Sequence, residues 1–238
     1  MRIRVVSYNI HKCVGTDRRY LPDRIRDTIA HYDPDVVMLQ EVSEGQKRAR
    51  FQRQVDVIGD LLGLHHRAYF PNAKCMGGGR YGNAVLSRHP VAESRNIELH
   101  HPLGKRRSVL HAKVHVRGRR ALHVFNAHLG LTQFLRVHQL RRFLSNPSLT
   151  RLHPDEPVVL AGDFNDVWGS LGRKLLAPAG FRPMPRKLRT FPSWFPFQSL
   201  DWIYVRGELD LVDVQRGDHA LARKASDHLP LVAELRLA

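Results

Sequence analysis

Cysteine is scarce in this chain: Cys13 and Cys75 are the only two among 238 residues. Two such thiols build no disulfide framework, no Cys-x-x-Cys pair suggests zinc, and free thiols fit a reducing compartment. Long apolar runs are missing as well. No stretch approaches the roughly 20 residues that a membrane helix needs. The amino terminus, Met1-Arg2-Ile3-Arg4-Val5-Val6, alternates like a strand and has neither the apolar segment nor the small-residue cleavage site of a secretory signal. A cytoplasmic location is expected. No linker, low-complexity stretch or internal repeat divides the chain, so residues 1–238 are expected to form one domain.

Acidic residues are few. Asp and Glu number 22 against 38 Lys and Arg, a net charge of +16 and a pI near 10.7. Such a field attracts polyanions: nucleic acid, an anionic membrane surface or phosphorylated small molecules. The charge is dispersed in short groups such as Lys105-Arg106-Arg107, and it favours nucleic acid among these partners. The 15 histidines do not have the spacing of a helical zinc site. Only His128 and His228, with His11 after them, lie inside polar motifs.

Strand-like and helical segments alternate. Ile3 to Asn9 reads as a strand and Pro22 to His31 as an amphipathic helix with proline in its first turn. Asp35 to Gln40 is an apolar run suited to a strand covered on both faces. Gln46 to Leu62 has one apolar face and Gly63 as a stop, which predicts a single helix. Ala84 to Leu86, Val109 to Val116 and Ala121 to Ala127 are strand-like, the last two joined by a hairpin turn over Arg117 to Arg120. Thr132 caps a helix over Gln133 to Leu144. Val158 to Ala161, Leu200 to Val205 and Leu229 to Leu237 complete the strands, with a short helix over Leu171 to Leu176. Pro183 to Pro196 is proline-rich, but Phe191, Trp194 and Phe195 argue for an ordered loop. Two face-to-face sheets covered outside by helices satisfy this order.

Five short polar motifs stand where strands should end: Ser7-Tyr8-Asn9-Ile10-His11, Leu39-Gln40-Glu41-Val42, Asn126-Ala127-His128-Leu129, Gly162-Asp163-Phe164-Asn165 and Ser226-Asp227-His228-Leu229-Pro230. Their inventory suits one hard divalent cation, Mg²⁺ or Mn²⁺, beside a phosphate ester, with histidine for proton or charge work. Glu41, closing an apolar strand, is a candidate metal ligand, and Asn9 can orient it or the metal. Asp163 and Asn165, two apart, project to one side of an extended segment, although an Asx-turn is open to either. Asp166 beside them reads as a solvated loop acid. Asp201, in Leu-Asp-Trp-Ile-Tyr, reads either as a strand-start cap or, as the family resemblance described below implies, as a hydrogen-bond partner that would favour the imidazolium form of His228.

At Asn9, Glu41, Asp163, Asn165, Asp227 and His228 the chain resembles the endonuclease/exonuclease/phosphatase superfamily, and the resemblance runs from Ser7 to Pro230 through Gly82-Asn83-Ala84-Val85-Leu86-Ser87-Arg88 and Leu200-Asp201-Trp202-Ile203-Tyr204-Val205. It implies a four-layer α-β-β-α sandwich of two mixed sheets. It implies metal ligation by Asn9, Glu41 and Asp227, and water positioning by Asp163. It implies that Asn165 and His228 face the phosphate and that His128 protonates the leaving oxygen. Arg107 resembles a phosphate-reaching arginine, while Asn83 and His11 are further candidates around the substrate. The expected activity is hydrolysis of a phosphodiester, nuclease-like on charge. A phospholipid or phosphoinositide headgroup is the alternative substrate, and non-catalytic polyanion binding is the alternative of another class.

Overall fold

The computed structural model describes residues 1–237 and contains twelve strands in two six-stranded mixed sheets. The first sheet holds β1 (Arg2–Asn9), β2 (Val36–Glu44), β3 (His66–Lys74), β4 (Arg80–Ser87), β11 (Leu209–Arg216) and β12 (Leu231–Leu237), in the order β11-β12-β1-β2-β4-β3. The second holds β5 (Val91–Glu98), β6 (Ser108–Val114), β7 (Leu122–His128), β8 (Val158–Asp163), β9 (Arg182–Pro183) and β10 (Asp201–Arg206), in the order β5-β6-β7-β8-β10-β9. Each sheet has one parallel pair at its centre, β1 with β2 and β7 with β8. Such a pair needs a crossover. Helix α1 (Pro22–Ala30) crosses from β1 to β2, and α3 (Gln133–Leu144) with the short α4 (Pro147–Thr150) crosses from β7 to β8. Among the described residues no helix is long and apolar enough to span a membrane.

This topology sets where polar groups collect. Parallel neighbours end at the same edge, so β1 and β2 deliver Asn9 and Glu41 near one another, and β7 and β8 deliver His128 and Asp163. An antiparallel neighbour starts where its partner ends. Accordingly β10 opens with Asp201 opposite Asp163, and β12 is entered through Asp227 and His228 beside the end of β1. The inner faces of both sheets share one core, in which Val5, Met38 and Val85 meet Leu110, Val124 and Val159. A second cluster seals the outer face of the first sheet beneath α1 and α2 (Gln54–Leu62). Asn126 stitches the sheets together: its Nδ2 donates to the carbonyls of Leu39 and Ala84, both at 2.8 Å, and its Oδ1 accepts from Gln40 Nε2 at 2.7 Å.

Two sequence expectations change. The single helix over Gln46 to Leu62 is a 3₁₀ turn at Lys47–Ala49 followed by α2, because Arg50 and Phe51 adopt positive φ of 50° and 61° and break the helical path. Strand β2 does not stop at Gln40 but continues to Glu44 through an irregularity in its pairing with β4 between Leu39 and Val42. Strands β3, β5, β9 and β11 were not expected from the sequence; β5 and β11 are largely exposed and lack a long apolar signature.

On β6 and β7, away from the strand ends that carry the motifs, two buried histidines form a chain. Their tautomers follow from a half-buried carboxylate. His123 Nε2 lies 2.8 Å from Glu156, so its Nδ1 accepts from His111 Nε2 at 2.9 Å, while the His111 ring stacks on Phe125. Burial, reinforced by His123, Arg95 and Lys113, pushes His111 down to about 4. A histidine lowered below its unfolded value stabilises the fold above that value, and the stability is lost as pH falls through the interval. Lowering pH from about 7.5 to about 5 should therefore cost about 1–2 kcal/mol at this residue. Urea unfolding of His111→Phe should show a smaller loss over that range than the parent chain; an equal loss would place the acid sensitivity elsewhere.

Candidate active site

The strand ends surround a cleft of about 880 Å³ whose lining includes Asn9, Glu41, Arg107, His128, Asp163, Asn165, Asp227 and His228. Eight of the eleven expected site residues thus share one cavity, and Asp201 lies directly behind it. Glu41 arrives by a route that a regular strand does not offer. At the irregularity in β2 its φ is +57°, and the bulged backbone turns the carboxylate into the cleft. Asp163 is the hub of the floor. Its Oδ2 accepts from Asn9 Nδ2 at 3.1 Å and lies 3.5 Å from His128 Nε2 and 3.9 Å from His228 Nε2. Its Oδ1 accepts from the Asn165 backbone N–H at 3.0 Å, so the Asx-turn is present, and the second oxygen of the same carboxylate stays in the cleft. Asn165, at φ +51°, donates from Nδ2 to the Leu129 carbonyl at 3.0 Å. Gly162, at φ +142°, lies so close to β7 that a Cβ would fall 1.9 Å from the Ala127 carbonyl oxygen, which demands glycine.

Burial makes the charges on this floor consequential. The largest influence on Asp163 is burial, which raises its carboxyl to about 6 against the lowering effect of His228. For His228 burial alone acts downward, but Asp201, whose Oδ2 takes the Nδ1 proton at 2.9 Å, together with Asp163 and Asp227 outweighs it and lifts the imidazole to about 10. His228 is the charged imidazole of the cleft. Asp201 is itself buried and held by the Thr190 hydroxyl as well. Burial lowers His128, and the nearby Arg107 lowers it further. Arg107 Nη1 lies 3.1 Å from His128 Nδ1, and a guanidinium only donates, so Nδ1 accepts and the proton sits on Nε2. His128 thus presents an Nε2–H toward Asp163, 3.5 Å away.

The remaining expectations divide. Arg107 reaches the cleft while its neighbour Arg106 does not, because β6 begins just beyond and turns alternate side chains inward. Asn83 does not line the cleft: fully buried, it donates to the carbonyls of Ser108 and Asn126 and ties the sheets together. His11 contributes through its backbone, donating to Asn9 Oδ1 at 3.1 Å, and its ring bonds the Val14 carbonyl at 3.1 Å. Asp166 is not a solvated acid. It is buried and accepts from Leu171 N–H at 2.8 Å, holding the turn that follows β8.

Lys12 escaped the sequence reading, and Phe191 was read there only as part of an ordered loop. Lys12 pairs its ammonium with Glu41, and the Phe191 ring stands 5.0 Å from that of His228. Lys12 adjoins a motif, but its direction depends on positive φ at residues 11 to 13, which nothing in Ile-His-Lys-Cys announces. Phe191 comes from the proline-rich loop, far from the polar motifs in sequence. Burial is the largest single influence on Glu41 and acts upward, yet Lys12, with His11 and Arg107 behind it, outweighs burial and leaves the carboxyl below its ordinary value.

The donor set around Glu41 is all oxygen: two carboxylates, Glu41 and Asp227, and the Asn9 amide. Among the described residues no group of three or more His, Cys, Asp or Glu forms a ready-made cage. Oxygen donors of this kind are the ones that hard divalent cations take. The Lys12 ammonium already marks Glu41 as a place for positive charge.

Comparison with known proteins agrees with this fold. The chain matches the profile of the Endonuclease/Exonuclease/phosphatase family over residues 6–228. It is 31% identical to the uncharacterized protein YbhP of Escherichia coli K12, covering 98% of this chain and 96% of that one. An endonuclease/exonuclease/phosphatase from Beutenbergia cavernae superposes with a TM-score of 0.85 at 27% identity, covering all of this chain and 72% of the other. Truncated TDP2 from Caenorhabditis elegans, at 20% identity and a TM-score of 0.72 over 99% and 97% of the two chains, shares the fold. With its two mixed sheets and the polar cleft at their shared edge, this chain belongs to the Endonuclease/Exonuclease/phosphatase family of phosphoester hydrolases.

Proposed function

We propose that the protein is a Mg²⁺- or Mn²⁺-dependent phosphodiesterase. The observation that carries the proposal is Asp163: a buried carboxylate with one oxygen open to the cleft, flanked by one charged and one neutral histidine. Glu41, Asp227 and Asn9 would hold the cation, which supplies charge neutralisation on the phosphoryl oxygens. Asp163 Oδ2 orients a water and takes its proton as the water oxygen bonds to phosphorus. The bond from phosphorus to the departing ester oxygen breaks in line, the alkoxide takes a proton from solvent water while Asp163 returns its own to solvent, and a diester becomes a monoester and an alcohol. His228, held charged by Asp201, stabilises the negative charge that builds on the phosphoryl group. Arg107 and the Nε2–H of His128 add donors to the same oxygens, and Asn165 borders them. With every one of these groups in place, catalysis is favoured over a polyanion-binding role without turnover.

The direct test is hydrolysis of bis-p-nitrophenyl phosphate. Turnover should fall to background in EDTA and return when excess Mg²⁺ or Mn²⁺ is added. Turnover that persists through chelation and dialysis would rule out the metal-dependent reading. Net charge taken alone points to nucleic acid as the carrier of the diester. A second reading, an anionic lipid headgroup, is favoured by the apolar side chains exposed around the cleft.

A further inference from the structure

Thirteen large apolar side chains are exposed among the described residues, and their distribution is uneven. Four, Met1, Leu21, Leu61 and Val212, are scattered over the surface. The other nine stand on or next to the segments that build the cleft, eight on loops and Phe134 in the first turn of α3. Met76 and Leu131 line it themselves. Phe51 follows the turn that brings Lys47 and Arg48 to the rim, and Trp168 follows Val167. Phe134, three residues beyond Leu131, packs edge-on against His101 at 5.2 Å, and the loop after His101 carries exposed Leu103 and then Lys105 at the rim.

The most prominent group is on the loop closed by the bridge between Phe191 and Gln198, both of which line the cleft. From it project Trp194, Phe195 and Phe197, which are 64%, 65% and 53% exposed. This loop is held firmly at its base: Ser193 donates its backbone N–H to the Asp227 carbonyl at 2.7 Å and its hydroxyl to the Ser226 carbonyl at 2.7 Å. Apolar tips are therefore fixed against the segment that carries Asp227 and His228. Basic side chains alternate with them. Lys47, Arg48, Lys74 and Lys105 stand exposed on the lining, whereas the acids of the lining, Glu41, Asp163 and Asp227, belong to the catalytic floor.

We propose that the mouth of this cleft docks on an anionic lipid bilayer, and that the phosphodiester it receives is a phospholipid headgroup. Exposed apolar side chains gathered in one region mark an interaction surface. Aromatic and aliphatic tips interspersed with Lys and Arg match an interface where acyl chains lie beside anionic headgroups. A stacking platform for single-stranded nucleic acid requires aromatic faces along the track of the strand. Here Met76, Leu103 and Leu131 have no such face, and most of the aromatics occupy the outer rim, with only Tyr81 and Phe191 inside. The inference rests on phosphodiester hydrolysis by this cleft and names the carrier of the diester.

The test uses the full chain with vesicles of pure phosphatidylcholine and of phosphatidylcholine mixed with phosphatidylglycerol. Trp202 is buried, so a fluorescence change reports Trp168 and Trp194. The mixed vesicles should bind the protein in flotation and shift its emission to the blue. They should also lose phosphatidylglycerol headgroup in Mg²⁺. Trp194→Ser/Phe195→Ser removes two exposed side chains, so its melting temperature and its hydrolysis of bis-p-nitrophenyl phosphate should match the parent. Its partition onto mixed vesicles should fall at least about tenfold.

Equal partition of parent and variant would overturn the docking surface. So would loss of single-stranded oligonucleotide binding, or of self-association, in the variant without a change on vesicles. Hydrolysis of the soluble diester without vesicle binding removes the docking surface and leaves the phosphodiesterase. Vesicle binding without hydrolysis of either diester removes the catalytic reading and, with it, the headgroup assignment.

Discussion

Replacing His228 with glutamine should lower kcat by roughly 10²–10³-fold, the scale set by removing one donor aimed at the developing charge. Glutamine is the informative substitution because of what lies behind the histidine. Asp201 is 1% exposed, one of its oxygens already lacks a partner, and the other depends on His228 and Thr190. His228→Ala would strand that carboxylate and cost about 3–5 kcal/mol, as when one partner of a buried ion pair is deleted. Its lost activity could then not be separated from lost fold. A glutamine amide can still donate to Asp201 while carrying no charge. The expected result is a melting temperature closer to the parent for His228→Gln than for His228→Ala, with kcat collapsed in both. A folded His228→Gln protein with near-parental kcat on a soluble diester would remove the charged histidine from the mechanism.

Asp163→Asn should lower kcat by about 10³-fold, within the range for loss of general-base catalysis, without lowering the melting temperature at about pH 8. The second half follows from linkage. An acid whose folded pKa is raised adds stability below its unfolded value and loses it as pH climbs through the folded value. Asp163, raised by burial to about 6, is therefore a burden on the fold when ionised. The same group gives the pH profile its acid limb. In the parent, kcat/KM should fall about tenfold per pH unit below about 6, as Asp163 gains its proton, and should fall again above about 10, as His228 loses its own. A divalent cation beside Asp163 adds positive charge, so rising metal should move the acid limb to lower pH. In Asp163→Asn that limb should disappear from the residual rate. A variant that retains it would show that another group takes the proton.

Much of this architecture is legible along the chain. The apolar run of Asp35 to Gln40 betrays a strand covered on both faces, and Thr132 announces α3, whose Leu135 N–H it caps. The five polar motifs lie at or beside strand ends because a side chain there leaves the hydrogen-bonded ladder and is free to face solvent or substrate. Exposed β5 and β11 are silent for the opposite reason, since little of their surface is buried against the core. The 3₁₀ turn before α2 was hidden by a helical apolar pattern interrupted only by positive φ at Arg50 and Phe51.

The sequence alone determined the kinds of chemistry available. It shows carboxylates and amides for a hard cation, two histidines at strand ends, an excess of positive charge and the alternation that builds two sheets. Tertiary structure decided what each group does. Asp163 and Asp227 are both aspartates in polar motifs, yet one is sealed among two histidines and the other is half-exposed at the cleft edge. His128 and His228 are both motif histidines, but Arg107 faces the first and Asp201 the second, so one is neutral and the other charged. Asn83 and Asn9 differ in the same way, one spent on tying the sheets and one open to the cleft. Burial multiplies the effect of whichever charge lies nearest, and that neighbour comes from another strand, often more than twenty residues away.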